Sequence, residues 1–186
     1  MKLIYLLIGI FLLLSCEKKE LNESEIMEII HSHKGYENLE LKRDFFYGAD
    51  FIDSIKTFKK IIAKECFKSI YETDFNDDGK LDYLINLNYP KPSVNDVAKI
   101  FISEDYHNTV ILLSSNSDYL LLNPGKGRVY DIISAKIISY KNQNLIKLVN
   151  FKTHIVNKND LIKYDTLMIK NNELTEHTKF DQHTHY

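Results

Sequence analysis

The chain has 186 residues, of which 44% are hydrophobic, 12% aromatic and 27% charged. That balance excludes a disordered tail and a polytopic membrane protein, and six Gly with three Pro exclude a collagen-like or linker-dominated design. Lys plus Arg number 24 against 26 Asp plus Glu, so no field of one sign draws in nucleic acid, and no nucleic-acid partner is expected.

Lys2 precedes an uncharged run from Leu3 to Leu14. The run is shorter than the roughly 20 apolar residues a spanning helix needs and has the length of a signal-peptide core. It ends in Leu13-Leu14-Ser15-Cys16, which resembles the lipobox of bacterial lipoproteins. The resemblance implies cleavage before Cys16, diacylglycerol on its sulfur and a fatty acyl chain such as palmitate on the new amino terminus. Each buried methylene contributes about 0.8 kcal/mol, so several chains on one residue hold a domain at a bilayer durably. Glu17 stands where the inner-membrane retention signal of enteric bacteria has Asp, which points to the cell outer membrane, facing periplasm or medium. The expected organisation is a signal peptide over 1–15, a charged lipid-anchored tether over 16–24, one globular domain over 25–180 and a disordered tail over 181–186. Cys66 is the only other cysteine, so no internal disulfide is expected. It reads as a small buried residue at the start of a strand.

A helix is expected from Asn22 or Ser24, where Asn22 can cap, Glu25 can reach back, and Ile26, Ile29 and Ile30 share a face, ending around His33 to Gly35. A second is expected after the cap Asp50, with Phe51, Ile55, Phe58 and Ile62 in a stripe and Lys59, Lys60 and Lys64 at the far end. Beyond Cys66, short apolar or alternating runs predict strands at 66–73, 81–89, 97–103, 109–114, 118–122, 128–139, 144–151, 162–170 and 173–179. Asn142-Gln143-Asn144, Asn171-Asn172 and Asn123 to Gly127 read as turns. Turns too short for crossover helices give an α+β domain in which two N-terminal helices pack on a mainly antiparallel β-sheet.

One segment carries chemistry. Thr73-Asp74-Phe75-Asn76-Asp77-Asp78-Gly79-Lys80-Leu81-Asp82 places Asp74, Asn76, Asp78 and Asp82 at loop positions one, three, five and nine. Gly79 supplies the sharp turn at six, and the carbonyl of Lys80 stands at seven. Calcium takes six to eight hard oxygen ligands, which alternate residues of a tight loop can supply together. Three aspartates so crowded repel one another without a cation. Asp77, at an even position, should face solvent. The twelfth position is Ile85 rather than the bidentate Glu of an EF-hand, and Leu81, Tyr83, Ile85, Leu87 and Tyr89 alternate as in a strand, although Leu84 interrupts the polar side. A loop between two strands resembles the calcium loop of FG-GAP and VCBS repeats. That resemblance implies an ion site built from Asp74, Asn76, Asp78, the Lys80 carbonyl and Asp82, with calcium as a structural clip. One copy of the loop does not make a propeller, which repeats its blades.

No catalytic signature stands out. Gly125-Lys126-Gly127-Arg128 lacks phosphate-loop spacing, Ser114-Ser115 lacks nucleophile-elbow glycines, and His31 and His33 suit a helix C-terminus better than a metal corner with Glu28. His177, His183 and His185 lie in a loose histidine-rich end, and most of the tyrosines read as residues at core edges. The leading expectation is a lipid-anchored, non-enzymatic envelope protein, attached to the membrane through its lipid, that binds a protein or glycan partner. A more specific form is an immunity or inhibitor lipoprotein that neutralises a toxin or wall hydrolase. The alternative is a small hydrolase acting on envelope polymers, for which acids must converge in a cleft.

Overall fold

The structure, a computed structural model, describes residues 20–43, 65–88, 109–115, 118–124, 131–152 and 162–177. One helix among them, α1 (Glu23–His31), precedes nine strands. These are β1 (Glu40–Leu41), β2 (Ile70–Thr73), β3 (Asp82–Asn88), β4 (Thr109–Ser115), β5 (Asp118–Leu122), β6 (Asp131–Tyr140), β7 (Gln143–Lys152), β8 (Ile162–Lys170) and β9 (Glu173–Glu176).

The α1 start follows from its first residues. The Asn22 side chain accepts from the Glu25 N–H at 3.0 Å, and the Glu25 carboxylate accepts from the Asn22 N–H at 2.9 Å, a reciprocal capping box. Ile26 and Ile30, one turn apart, are buried. At the far end the imidazoles serve the backbone: His31 Nε2 donates to the Leu39 carbonyl at 2.8 Å and His33 Nδ1 to the Ile29 carbonyl at 2.9 Å.

The first sheet has β3 at its centre. β1 and β2 pair antiparallel with opposite ends of β3, β1 at Leu87 and Asn88 and β2 from Asp82 to Ile85, while β4 and then β5 follow on the other side. The second sheet is a four-stranded meander in the order β6-β7-β8-β9. Two of its connections are two-residue turns, Lys141-Asn142 and Asn171-Asn172, with positive φ at all four residues. That backbone twist matches the strands it joins. The first of these turns lies one residue before the expected Asn142-Gln143-Asn144, because Gln143 and Asn144 already pair with Tyr140 and Ser139.

Two apolar clusters order the layers. Leu21, Ile26, Ile30, Tyr36 and Leu39 pack on one face of the first sheet, against Tyr83, Ile85, Leu87, Val110 and Leu112. Leu84, Ile111 and Leu113, on the other face, pack with Phe75 against Ala135, Ile146, Leu148, Leu167 and Ile169 of the second sheet. The order is therefore helix, sheet, sheet. Both faces of β3 and β4 are covered, which is why Val110 to Leu113 form an unbroken buried run and why Leu84 sits on the side that alternation reserved for polar residues.

This corrects the expected α+β arrangement of two N-terminal helices on one sheet. The described residues form mainly two antiparallel sheets with a single helix, and the first sheet's other face is covered by a second sheet, β6–β9, that the expectation did not contain. The stripe from Phe51 to Ile62 and the strand expected at 97–103 fall outside the described residues. Cys66 also differs from expectation. It is exposed, with φ at 51°, and β2 begins only at Ile70, so the thiol belongs to a turn rather than to a strand core.

On the opposite face of the second sheet Glu65 holds two lysines, with Nζ···O distances of 2.7 Å to Lys136 and 2.9 Å to Lys147. Burial alone pushes the Glu65 carboxyl up, but the two ammonium groups outweigh it and hold the group below its ordinary value.

Candidate metal centre and the cleft beside it

The 74–82 segment joins β2 to β3, whose ends close on the pair Thr73↔Asp82. Positive φ at Asp77 (58°) and Gly79 (83°) folds the loop back over its own start. Glycine takes this conformation without the steric cost that a Cβ brings.

The oxygen side chains gather around the loop's amides. Asp74 Oδ1 accepts from the Asp78 N–H at 3.1 Å and Asp74 Oδ2 from the Gly79 N–H at 2.8 Å. Asn76 Oδ1 accepts from the same Asp78 N–H at 3.2 Å. Asp78 Oδ1 accepts from the Lys80 N–H at 2.8 Å. The side chains at positions one, three and five thus bond to the loop's own amides, and both Asp77 and Asp78 are exposed.

Asp82 behaves differently. It is fully buried, Oδ2 accepting from the Phe75 N–H at 2.7 Å and Oδ1 from the Ser114 N–H at 2.8 Å. Ser114 ties the two acids together, because its hydroxyl donates toward Asp78 at 3.1 and 3.3 Å. Nothing in the sequence around Ser114 marks this role. It follows from the β3–β4 pairing, which puts the end of β4 beside the loop.

The electrostatics of the two acids diverge. Burial raises the Asp82 carboxyl above its ordinary value, and the Asp78 charge adds to the rise, although N–H groups of Ser114 and Phe75 and the Ser114 hydroxyl pull it back. At Asp78 burial pushes the carboxyl up, but the Lys80 N–H, the Ser114 hydroxyl, the Asn76 amide and the Lys80 charge together outweigh it and hold the group low.

The donor chemistry suits a hard cation: all-oxygen, with carboxylates, an amide and a main-chain carbonyl. An ionised carboxylate has about four acceptor positions, so the two N–H bonds at Asp74 leave capacity for a cation. The arrangement itself is closed by the loop's own amides, and among the described residues no three His, Cys, Asp or Glu side chains gather closely enough to hold a metal. Of the expected set, Asp74, Asn76 and Asp78 converge on one stretch of backbone. Asp82 lies deeper, spanning the loop and β4.

Beside the loop is an open cleft of about 550 Å³. One wall is the loop from Phe75 to Asp78, the other the end of β8 and the Asn171-Asn172 turn, and Ser114 and Ser115 lie between them. The walls meet where Asn76 Nδ2 donates to Asn172 Oδ1 at 3.3 Å. Nearby, Asn144 Nδ2 donates to Thr73 Oγ1 at 2.6 Å, a second tie between the loop's base and the second sheet.

Compared with known proteins, the chain matches no family model, no curated protein and no solved structure. No helix among the described residues is long and apolar enough to cross a membrane.

Proposed function

We propose that this chain is a lipid-anchored protein of the cell envelope, held at the outer membrane through Cys16, whose β-rich domain is a non-enzymatic binding module with a calcium-ordered loop. In this reading Asp74, Asn76, Asp78 and the Lys80 carbonyl hold the ion, Asp82 braces the loop from beneath through the Phe75 and Ser114 N–H groups, and the ion's role is structural, favouring the folded state by binding it. The observation that carries the reading is the gathering of Asp74, Asn76 and Asp78 on three successive loop amides, those of Asp78, Gly79 and Lys80, at the lip of a polar cleft. A hydrolase reading is less well supported. It needs two acids converging on a substrate, whereas Asp82 is fully buried with each oxygen on a backbone N–H, and of the two acids lining the cleft Asp78 is bonded to the Lys80 N–H and the Ser114 hydroxyl.

The test has two parts. Mass spectrometry of the protein isolated from a bacterial envelope should find Cys16 diacylglycerated at a new amino terminus. Calcium titration by calorimetry should give a saturable heat with a dissociation constant of about 10⁻⁴ to 10⁻³ M. An unmodified Cys16 removes the anchor, and a flat titration removes the ion.

A further inference from the structure

We infer that the cleft between the 74–82 loop and the Asn171-Asn172 turn is a binding site for a neutral, polyhydroxylated ligand, a saccharide unit. The inference rests on the reading of this domain as a binding module and names the chemistry of its ligand. At about 550 Å³ the cleft falls within the range of small-ligand sites and has room for one or two sugar rings.

The lining decides the class. Neutral groups that both donate and accept dominate it: the amides of Asn76, Asn171 and Asn172 and the hydroxyls of Ser114 and Ser115. A sugar hydroxyl also donates and accepts, so this inventory can satisfy it in either sense. An anionic ligand would meet Asp77 and Asp78 with only Lys170 to offset them. An apolar ligand would find only Phe75 and Ile169, each 8% exposed. A cationic ligand would have only Asp77, with Lys170 in the same lining to repel it, because in the reading above Asp78 is given to the calcium ion.

The turn itself adds an argument. Asn171 and Asn172 both have left-handed φ, at 53° and 61°, where glycine is the less strained choice for the second position. An Asn-Asn pair instead places two amides at the cleft wall, and one of them bonds across to Asn76. The two walls are thus set by paired strands and tied at their tips, which lowers the ordering cost of binding.

The experiment uses the full chain in detergent, with and without calcium. Glucose, galactose, mannose, N-acetylglucosamine and its β-1,4 dimer are titrated while the side-chain amide signals of Asn76, Asn171 and Asn172 are followed by NMR. At least one sugar should shift these signals saturably, with a dissociation constant of about a millimolar or tighter. Ser115→Trp, which fills the cleft, should abolish the shift. Asn172→Gly, which keeps the turn, should weaken binding about tenfold through lost hydrogen bonds. No saturable shift with any of the five sugars, or binding that survives Ser115→Trp, overturns the proposal. So does a preference for an oligolysine peptide or inorganic phosphate over every sugar. Sugar binding together with a flat calcium titration leaves this site standing and removes the ion, whereas calcium binding without sugar binding does the reverse.

Discussion

The side-chain amide of Asn86 pairs with the backbone of Ala135 as another strand would: Nδ2 donates to the Ala135 carbonyl and Oδ1 accepts from the Ala135 N–H, both at 2.8 Å. The remaining capacity of the amide is also filled, Nδ2 donating to the Lys68 carbonyl at 2.8 Å and Oδ1 accepting from the Thr109 hydroxyl at 3.0 Å. Asn86 is fully buried, so β3 reaches through its side chain to β6 and joins the sheets with no polar group of the amide left over.

Replacement of Asn86 should therefore be more costly than its single-residue scale suggests. Asn86→Leu strands the Ala135 N–H and carbonyl, the Lys68 carbonyl and the Thr109 hydroxyl, and a buried group without a partner costs about 1–3 kcal/mol. Urea melts should show a loss of at least about 3 kcal/mol for this variant. Asn86→Asp should be no milder, because a carboxylate cannot donate to the two carbonyls. A loss below 1 kcal/mol in both would mean that the clasp is dispensable.

Close to this clasp the Lys42 ammonium donates to the Ser134 hydroxyl at 3.1 Å and is almost fully buried. Burial pushes its pKa from 10.5 down to about 7. The unfolded chain then carries the extra proton between about pH 7 and 10.5, so stability should climb with pH across that window and level off below it. Each unit by which ionisation is held down corresponds to about 1.4 kcal/mol. Denaturant midpoints of the native chain and Lys42→Met, compared from pH 6 to 10, should converge at low pH less well than at high pH, with the variant lacking the climb. Parallel curves would refute this account of Lys42.

Calcium at 10 mM should raise the melting temperature. With a dissociation constant of about 10⁻⁴ to 10⁻³ M, the gain is about 1.4–2.7 kcal/mol. Asp78→Ala should abolish it, while Asp77→Ala, at an exposed even position, should leave most of it. An equal response in all three proteins would place the ion elsewhere.

Asp82 offers an independent view of the same loop. Its carboxyl is raised, so the folded chain holds that proton more firmly than the unfolded chain, and this group's contribution falls as pH rises from its ordinary value near 3.8 through its own higher one. A bound cation favours the charged form and should lower the midpoint again. The carbon-13 shift of the Asp82 carboxyl, titrated with and without calcium, should show the two midpoints apart. A midpoint at or below the ordinary carboxyl range in calcium-free protein would contradict the burial argument.

What could be read in the chain was local. Asn22 and Glu25 announce the start of α1 through a capping box that closes within four residues, and Asn171-Asn172 announce a hairpin because few other side chains tolerate left-handed φ. The bonds of Asp74, Asn76 and Asp78 are local in the same way, since their partners are amides two to five residues away. The layers were not legible. Alternation in β3 separates Tyr83, Ile85 and Leu87 from Leu84, but it cannot say that the second group meets Ile146 and Leu148 of another sheet rather than a helix. Nor does any neighbour of Asn86, Lys42 or Ser114 reveal their roles, because Ala135, Ser134 and Asp82 lie 49, 92 and 32 residues away. The sequence alone determined the turns, caps and strand periods, which are settled by contacts within a few residues. Only the tertiary structure decided how the two sheets stack and which distant groups line the cleft, because those depend on burial that no short segment can achieve by itself.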